Sequence, residues 1–89
     1  MNGRKITLAD GTVYDEGECG FADGVLWCYL PTGIDLTQAF MSFANPEKTS
    51  TIVFSYGEMS DTYNGFTDMQ GIMKTYDGKV NVSLKRAAN

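Results

Sequence analysis

Residues 23–30, Asp-Gly-Val-Leu-Trp-Cys-Tyr-Leu, give the strongest indication of the architecture, because a turn dipeptide stands directly before an apolar strand. Asp-Gly is a strong signal for a two-residue hairpin, since a type I′ turn needs positive φ at both central positions. Residues 25–30 are apolar at every position, which is typical of a central strand covered on both faces. The dipeptide recurs at Asp10-Gly11 and Asp77-Gly78, beside β-branched and aromatic residues. We therefore predict successive antiparallel hairpins.

One helix interrupts the strands. Asp35 is its predicted N-cap, with Gln38 three residues later in a pattern like a capping box. An apolar stripe at i, i+3, i+4 and i+7 is expected to dock on the sheet. Asn45-Pro46 is expected to end the helix, since a residue before proline disfavours the α region. The stripe consists of Leu36, Ala39, Phe40 and Phe43.

Strands are also predicted on the C-terminal side of the helix. Residues 49–56 form a β-branched run that places Ile52, Phe54 and Tyr56 on one face. Asn64-Gly65 marks either another hairpin or a bulge in one long strand. The last two strands surround Asp77-Gly78. With a two-residue turn there, the cross-strand pairs that share the buried face are Thr75 with Val80, Met73 with Val82, and Gly71 with Leu84.

The predicted element order is β-β-β-α-β-β-β. The 89 residues are enough for one core, so residues 1–89 are expected to form a single domain. The predicted fold class is α+β: a small antiparallel sheet or partly open β-barrel of about five to six strands, with one short helix packed on it.

The charge is unevenly distributed. The net charge is −4, but residues 6–70 hold ten carboxylates against Lys48 alone. The two ends of the chain are basic, through Arg4 and Lys5 at one end and residues 71–89 at the other. Sequence-independent nucleic-acid binding depends on Lys and Arg at the phosphates, so this acidic body argues against direct nucleic-acid binding.

The composition does not favour catalysis. The chain has no histidine, which removes the commonest general base and most nucleophile pairs and metal sites. We therefore expect no enzyme activity, no metal site, no cofactor and no small-molecule substrate. Cys19 and Cys28 are expected to be free thiols, although a disulfide is possible if their strands pair.

Three groups of residues are candidates for partner binding. The acidic loop is a solvated loop, a weak cation site or a patch for a partner, and the sequence leaves these readings open. The aromatic residues beside turns belong either to the core or to a protein interface. Two basic residues in the last strand are candidates for assembly contacts. These residues are Asp15, Glu16 and Glu18; Tyr63 and Phe66; and Lys85 and Arg86.

Three segments carry a resemblance to known proteins. They are AFMSFANPEKTSTIVF at residues 39–54, DTYNGFTDMQGI at 61–72 and DGKVNVSLKR at 77–86. With the hairpin and apolar strand before them, they resemble a class of small proteins encoded by phages and prophages of Gram-positive bacteria. The resemblance implies a phage context, often among virion structural or lysis genes. It transfers no activity and no functional residue.

Two functions follow as hypotheses. The first is a non-catalytic phage-encoded binding or assembly module, such as a tail or baseplate component, that binds a protein partner or itself. Its basic last strand and acidic body would attract one another head to tail. The alternative is an acidic inhibitor of a host defence protein such as a CRISPR nuclease, whose carboxylates would take the place of phosphates.

The expected location follows from what the sequence lacks. No hydrophobic stretch follows the basic residues Arg4 and Lys5, so no signal peptide is predicted. No apolar run approaches the roughly 20 residues that span a bilayer, so no membrane association is expected. We expect a cytoplasmic location in the host cell, or incorporation in a virion.

Overall fold

The computed structural model describes residues 3–88 and is an α+β structure of eight strands and two short helices. The α+β class predicted from the sequence is confirmed. The strands are β1 (Arg4–Thr7), β2 (Val13–Asp15), β3 (Glu18–Ala22), β4 (Val25–Leu30), β5 (Thr51–Tyr56), β6 (Met59–Asn64), β7 (Asp68–Lys74) and β8 (Val80–Lys85). The helices are α1 (Leu36–Phe43) and α2 (Pro46–Thr49).

The strands form two four-stranded antiparallel sheets. Sheet 1 has the order β2-β1-β5-β6, and sheet 2 has the order β3-β4-β8-β7. The predicted antiparallel pairing is confirmed, but the count of five to six strands was too low, because eight strands form two sheets. The strands within residues 3–88 do not close into a barrel. Residues 59–61 belong to β6, a strand that pairs with β5 at the edge of sheet 1.

A single core lies between the two sheets. Its members come from alternate positions of the strands, because successive side chains of a strand point to opposite faces. Ile52 and Phe54 point inward from β5 as predicted, and Val80, Val82 and Leu84 do so from β8. Both helices contribute buried side chains, so burial of apolar area from both sheets and α1 supplies the main stabilising term.

The predicted helix starts at its predicted cap and ends before Asn45-Pro46 as expected, but a second helix that was not predicted begins at Pro46. The Asp35 carboxylate accepts a hydrogen bond from the Gln38 backbone N–H at 3.0 Å, which makes Asp35 the N-cap. Helix α1 ends at Phe43, and Pro46 opens α2 because its fixed φ suits the first position of a helix. The Asn45 side chain caps α2 by accepting from the Glu47 N–H at 3.0 Å.

The predicted stripe of α1 is rotated in the structure. Ala39 and Phe43 are buried, but the third buried residue is Ser42, while Leu36 and Phe40 are exposed. The ring of Phe43 stacks on Tyr14 of β2 with centroids 5.7 Å apart. This contact turns the Ser42 side of the helix toward the core, which leaves Leu36 and Phe40 at the surface.

The register of the last hairpin differs from the prediction by one residue on β7. Lys74 pairs with Val80 and Ile72 with Val82, so the connection has five residues, 75–79, and not two. The Thr75 N–H donates to the Lys79 carbonyl at 2.8 Å, which closes this longer loop. A bulge between Met69 and Gly71 then shifts the pairing again.

Gly65 forms neither the hairpin nor the bulge that Asn64-Gly65 had suggested. It lies between β6 of sheet 1 and β7 of sheet 2, at the point where the chain passes from one sheet to the other. Its φ is 83°, which suits glycine. Its N–H donates to the Ser50 carbonyl at 2.9 Å, and its own carbonyl accepts from Thr67 at 2.9 Å.

Among residues 3–88, no helix could span a membrane. Neither α1 nor α2 has the length and apolar character that crossing a bilayer would require.

Candidate functional site

The outer face of sheet 2 carries an exposed aromatic ridge. Strand β4 alternates, with Leu26, Cys28 and Leu30 in the core and Trp27 and Tyr29 outside. Trp27 is 39% exposed and Tyr29 is 40% exposed. Burial on both faces was therefore the wrong prediction for β4, although its central position in the sheet was right. We call Trp27 and Tyr29 the aromatic ridge.

Small residues flank the ridge because of the strand register. Trp27 lies opposite Gly20 of β3 on one side and opposite Ser83 of β8 on the other. Ser83 in turn lies opposite Gly71 of β7. A Cβ atom added at Gly20 would meet nothing within 4 Å. The small side chains on both sides of Trp27 therefore leave the indole projecting above its neighbours. On one side of the indole, the surface forms a groove.

This groove has a volume of about 240 Å³. Met73, which is 60% exposed, forms its far wall on β7. Methionine adapts its shape to a bound surface, and an aromatic ring offers a large contact area at little entropic cost. The lining residues are Trp27, Gly71, Ile72, Met73, Asn81 and Ser83. We call this the apolar groove.

A second, polar groove of about 210 Å³ lies at the other end of the ridge. Glu16 and Glu18 line it together with Tyr29 and Lys79. The structure thus brings two of the three predicted acidic residues next to the aromatic ridge. Tyr29 lies opposite Glu18 on β3 and opposite Asn81 on β8, so it stands between the two grooves.

The acidic residues are held by the corner between β2 and β3. Asp15 is exposed at the end of β2, opposite Lys5 of β1. Glu16 has a φ of 63°, and its N–H donates to the Arg4 carbonyl at 2.6 Å. Glu18 forms an exposed ion pair with Arg4 at 3.1 Å. Such exposed pairs contribute little to stability, and they orient the side chains more than they stabilise the fold.

The two predicted aromatic contacts lie elsewhere. Phe66 is only 1% exposed, so its ring is part of the core and offers almost no surface to a partner. Tyr63 is half-buried and packs edge-on against Phe66 with centroids 6.0 Å apart. Burial, followed by the nearby Asp61 charge, raises the pKa of the Tyr63 hydroxyl. Phe21 on β3 and Tyr76 directly before Asp77-Gly78 are aromatic residues beside turns that the structure exposes.

The two predicted basic contacts have different surroundings. Lys85 is exposed on the outer face of sheet 2, opposite Val25 of β4 and Asp68 of β7. The guanidinium of Arg86 lies 4.8 Å from the centroid of the Phe66 ring, in a cation–π contact. Arg86 therefore already has a partner within the chain.

Sequence reasoning missed the aromatic ridge because it treated β4 alone. The useful signal lies in β8, where polar Asn81 and Ser83 alternate with buried valines and leucine. A strand that alternates in this way belongs to a sheet with one solvated face. Pairing β4 with β8 would have assigned Trp27 and Tyr29 to that face.

The arrangement offers surfaces for contact. Within residues 3–88, no three Cys, Asp or Glu side chains converge where they could hold a metal ion. Comparison with known proteins gives no match to a family model, a curated protein or a solved structure.

Proposed function

We propose that this protein is a non-catalytic binding or assembly module whose contact surface is the outer face of sheet 2, and that the first partner of this surface is a second copy of the chain. The observation that carries the proposal is the exposure of Trp27 and Tyr29 beside the apolar groove. Exposed aromatic residues and methionine are enriched at protein interfaces and supply much of their binding energy.

Shape favours a second copy as the partner. A two-fold contact uses the same patch on both molecules, so the patch must be complementary to itself. The outer face of sheet 2 combines a ridge, Trp27 and Tyr29, with a groove floored by Gly71 and Ser83. In the proposed two-fold pair, the ridge of each molecule would lie against the groove of the other.

A phage context fits such a module. The segments at residues 39–54, 61–72 and 77–86 resemble small phage-encoded proteins, and a subunit that binds copies of itself would suit a virion. Lys85 lies on the same outer face as the ridge, so an electrostatic attraction to the acidic body would act at this surface. Arg86 is a weaker candidate than the sequence suggested, because it is engaged with Phe66.

The proposal is tested by size-exclusion chromatography with multi-angle light scattering over a range of concentrations, at low and high salt. We expect a discrete oligomer whose apparent mass rises with concentration. Trp27→Ser should raise the dissociation constant at least about 30-fold, since aromatic hot spots contribute 2 kcal/mol or more. High salt should leave the contact through the ridge intact.

Two further variants separate this surface from others. Met59→Ser is the matched control, because Met59 is an exposed apolar residue on sheet 1. Phe40→Ser tests the exposed apolar side of α1. Loss of the oligomer with Phe40→Ser but not with Trp27→Ser would contradict the proposed surface, and a monomer at every concentration would contradict self-assembly. Salt-sensitive assembly that Lys85→Glu abolishes would favour the charged contact over the ridge.

The alternative, an acidic inhibitor of a host defence nuclease, has less support from the side-chain contacts. Several carboxylates have structural roles: Asp35 caps α1, Asp61 accepts from the Tyr56 hydroxyl at 3.1 Å, and Asp10 lies 3.7 Å from Lys48. The carboxylates of Asp15 and Glu16 remain as an acidic patch. Recovery of a basic host nuclease in a pull-down from host lysate would favour this alternative.

A further inference from the structure

Two thiols face each other inside sheet 2. Cys19 of β3 and Cys28 of β4 are directly opposite in the antiparallel register. Their Sγ atoms are 3.8 Å apart, and both cysteines are free. Cys28 is fully buried, while Cys19 keeps 9% of its surface exposed.

The turn at Asp23-Gly24 sets the register of β3 and β4, and this register makes Cys19 and Cys28 a pair that a disulfide can bridge. Asp23 and Gly24 have φ values of 53° and 78°, as a two-residue type I′ turn requires. Ala22 and Val25 flank that turn and form a hydrogen-bonded pair, and pairs alternate along an antiparallel ladder. Cys19 and Cys28, three steps further along, therefore form a non-hydrogen-bonded pair.

In an antiparallel ladder, the side chains of a non-hydrogen-bonded pair lie closer together than those of a hydrogen-bonded pair. The Cα atoms of a non-hydrogen-bonded pair lie about 4.5 Å apart, which is within the range of about 4.4–6.8 Å found across disulfides. The sulfurs can therefore approach bonding distance through side-chain rotation, with β3 and β4 kept in register.

We propose that Cys19 and Cys28 are an oxidation site that forms a cross-strand disulfide. A small-molecule disulfide is the oxidant. The Cys19 thiolate attacks one of its sulfurs and releases the other as a thiol, which leaves a mixed disulfide on Cys19. The Cys28 sulfur then attacks Cys19 Sγ, loses its proton and releases the second small thiol. The protein gives up two protons and two electrons, and the oxidant is reduced to two thiols.

The order of attack follows from exposure. Cys19 lies on the edge strand of sheet 2 and keeps some accessible surface, whereas Cys28 is enclosed by β3 and β8. The hydrogen bond with Cys19 and burial raise the pKa of the Cys28 thiol, which disfavours its thiolate before the mixed disulfide forms.

The test is equilibration of the purified protein with oxidised and reduced glutathione at fixed ratios, read out by intact mass and by alkylation of free thiols. We expect the protein to lose two hydrogen masses and both alkylation sites. The oxidised form should melt about 10 °C higher, because the bond restrains the unfolded chain. Cys28→Ser should stop at a glutathione adduct on Cys19.

A comparison in urea keeps the test independent of whether the variants fold. At the same glutathione ratio, the disulfide-to-dithiol ratio of the wild-type protein should be at least tenfold higher when folded than when unfolded in urea. A folded ratio below the unfolded one would overturn the proposal, because it would mean that the native strands oppose the bond. Two persistently free thiols in the folded protein, or a stable glutathione adduct on the wild type, would overturn it as well.

Discussion

Gly17 stands at the corner between β2 and β3, where there is no room for a side chain. A Cβ atom added there would lie 2.8 Å from Cδ1 and 3.0 Å from Cγ1 of Ile6, and 3.3 Å from the Tyr14 carbonyl oxygen. Ile6 is fully buried, so it has little freedom to retreat. The glycine is required here by close packing.

We therefore expect Gly17→Ala to lower the free energy of unfolding by about 1–3 kcal/mol, the range found for overpacked cores. Urea denaturation followed by tryptophan fluorescence measures this change. Gly20→Ala, on β3 with open space around the added methyl group, is the matched control and should change stability far less. Equal effects of the two substitutions would contradict the packing argument.

The hydroxyl of Tyr14 lies in the core without a hydrogen-bond partner among the described residues. Tyr14 is buried against Phe43. A buried hydroxyl without a partner costs free energy, and its removal leaves the ring stacking in place. We expect Tyr14→Phe to stabilise the protein by up to about 1 kcal/mol in thermal or urea unfolding. A loss of more than about 1 kcal/mol would show that the hydroxyl has a partner.

The five-residue loop between β7 and β8 depends on Asp77. The Thr75 hydroxyl and the Lys79 N–H both donate to the Asp77 carboxylate, which holds the pKa of this carboxyl below its ordinary value. A lowered folded-state pKa stabilises the protein at pH values above the unfolded pKa of about 3.9. That contribution is lost as the pH falls through the folded pKa.

Asp77→Asn should therefore lower the melting temperature at pH 7 and flatten its decline in acid. The measurement is a series of thermal melts between pH 7 and pH 2. Thr75→Val, which keeps the carboxylate and removes its first donor, should show an intermediate pH profile. Parallel profiles of the wild type and Asp77→Asn would contradict a stabilising role for this carboxylate.

Local sequence predicted some helix and strand features correctly and others not. The Asp35 cap and the hairpin at Asp23-Gly24 were predictable, because each depends on residues a few positions apart. The β7–β8 register was not, because Thr75 and Lys79 close a five-residue loop around a dipeptide that usually forms a two-residue turn. The rotation of α1 and the exposure of Trp27 depend on contacts with distant strands, which local patterns do not contain.

The passage of the chain from sheet 1 to sheet 2 depends on Gly65. Its left-handed backbone lets it donate to Ser50, beside sheet 1, while its carbonyl accepts from Thr67 at 2.9 Å and Ala87 at 3.3 Å, beside sheet 2. We expect Gly65→Ala to cost about 1–2 kcal/mol in urea unfolding, since residues with a Cβ are strained at this φ. Gly65→Asn should recover part of the loss, because asparagine tolerates the left-handed region. Equal losses would contradict backbone strain as the cause.

The position of β8 within sheet 2 has a consequence for biosynthesis. Residues 80–85 form a central strand, bonded to β4 on one side and β7 on the other, although they are translated about fifty residues after β4. Until residues 80–85 are available, β4 lacks its neighbour β8, and β3 and β4 can form only a two-stranded hairpin. Such hairpins are only marginally stable and prone to aggregate. Sheet 2 can close only after residues 80–85 have left the ribosome, so a pause in translation before this point would prolong the nascent chain's need for a chaperone.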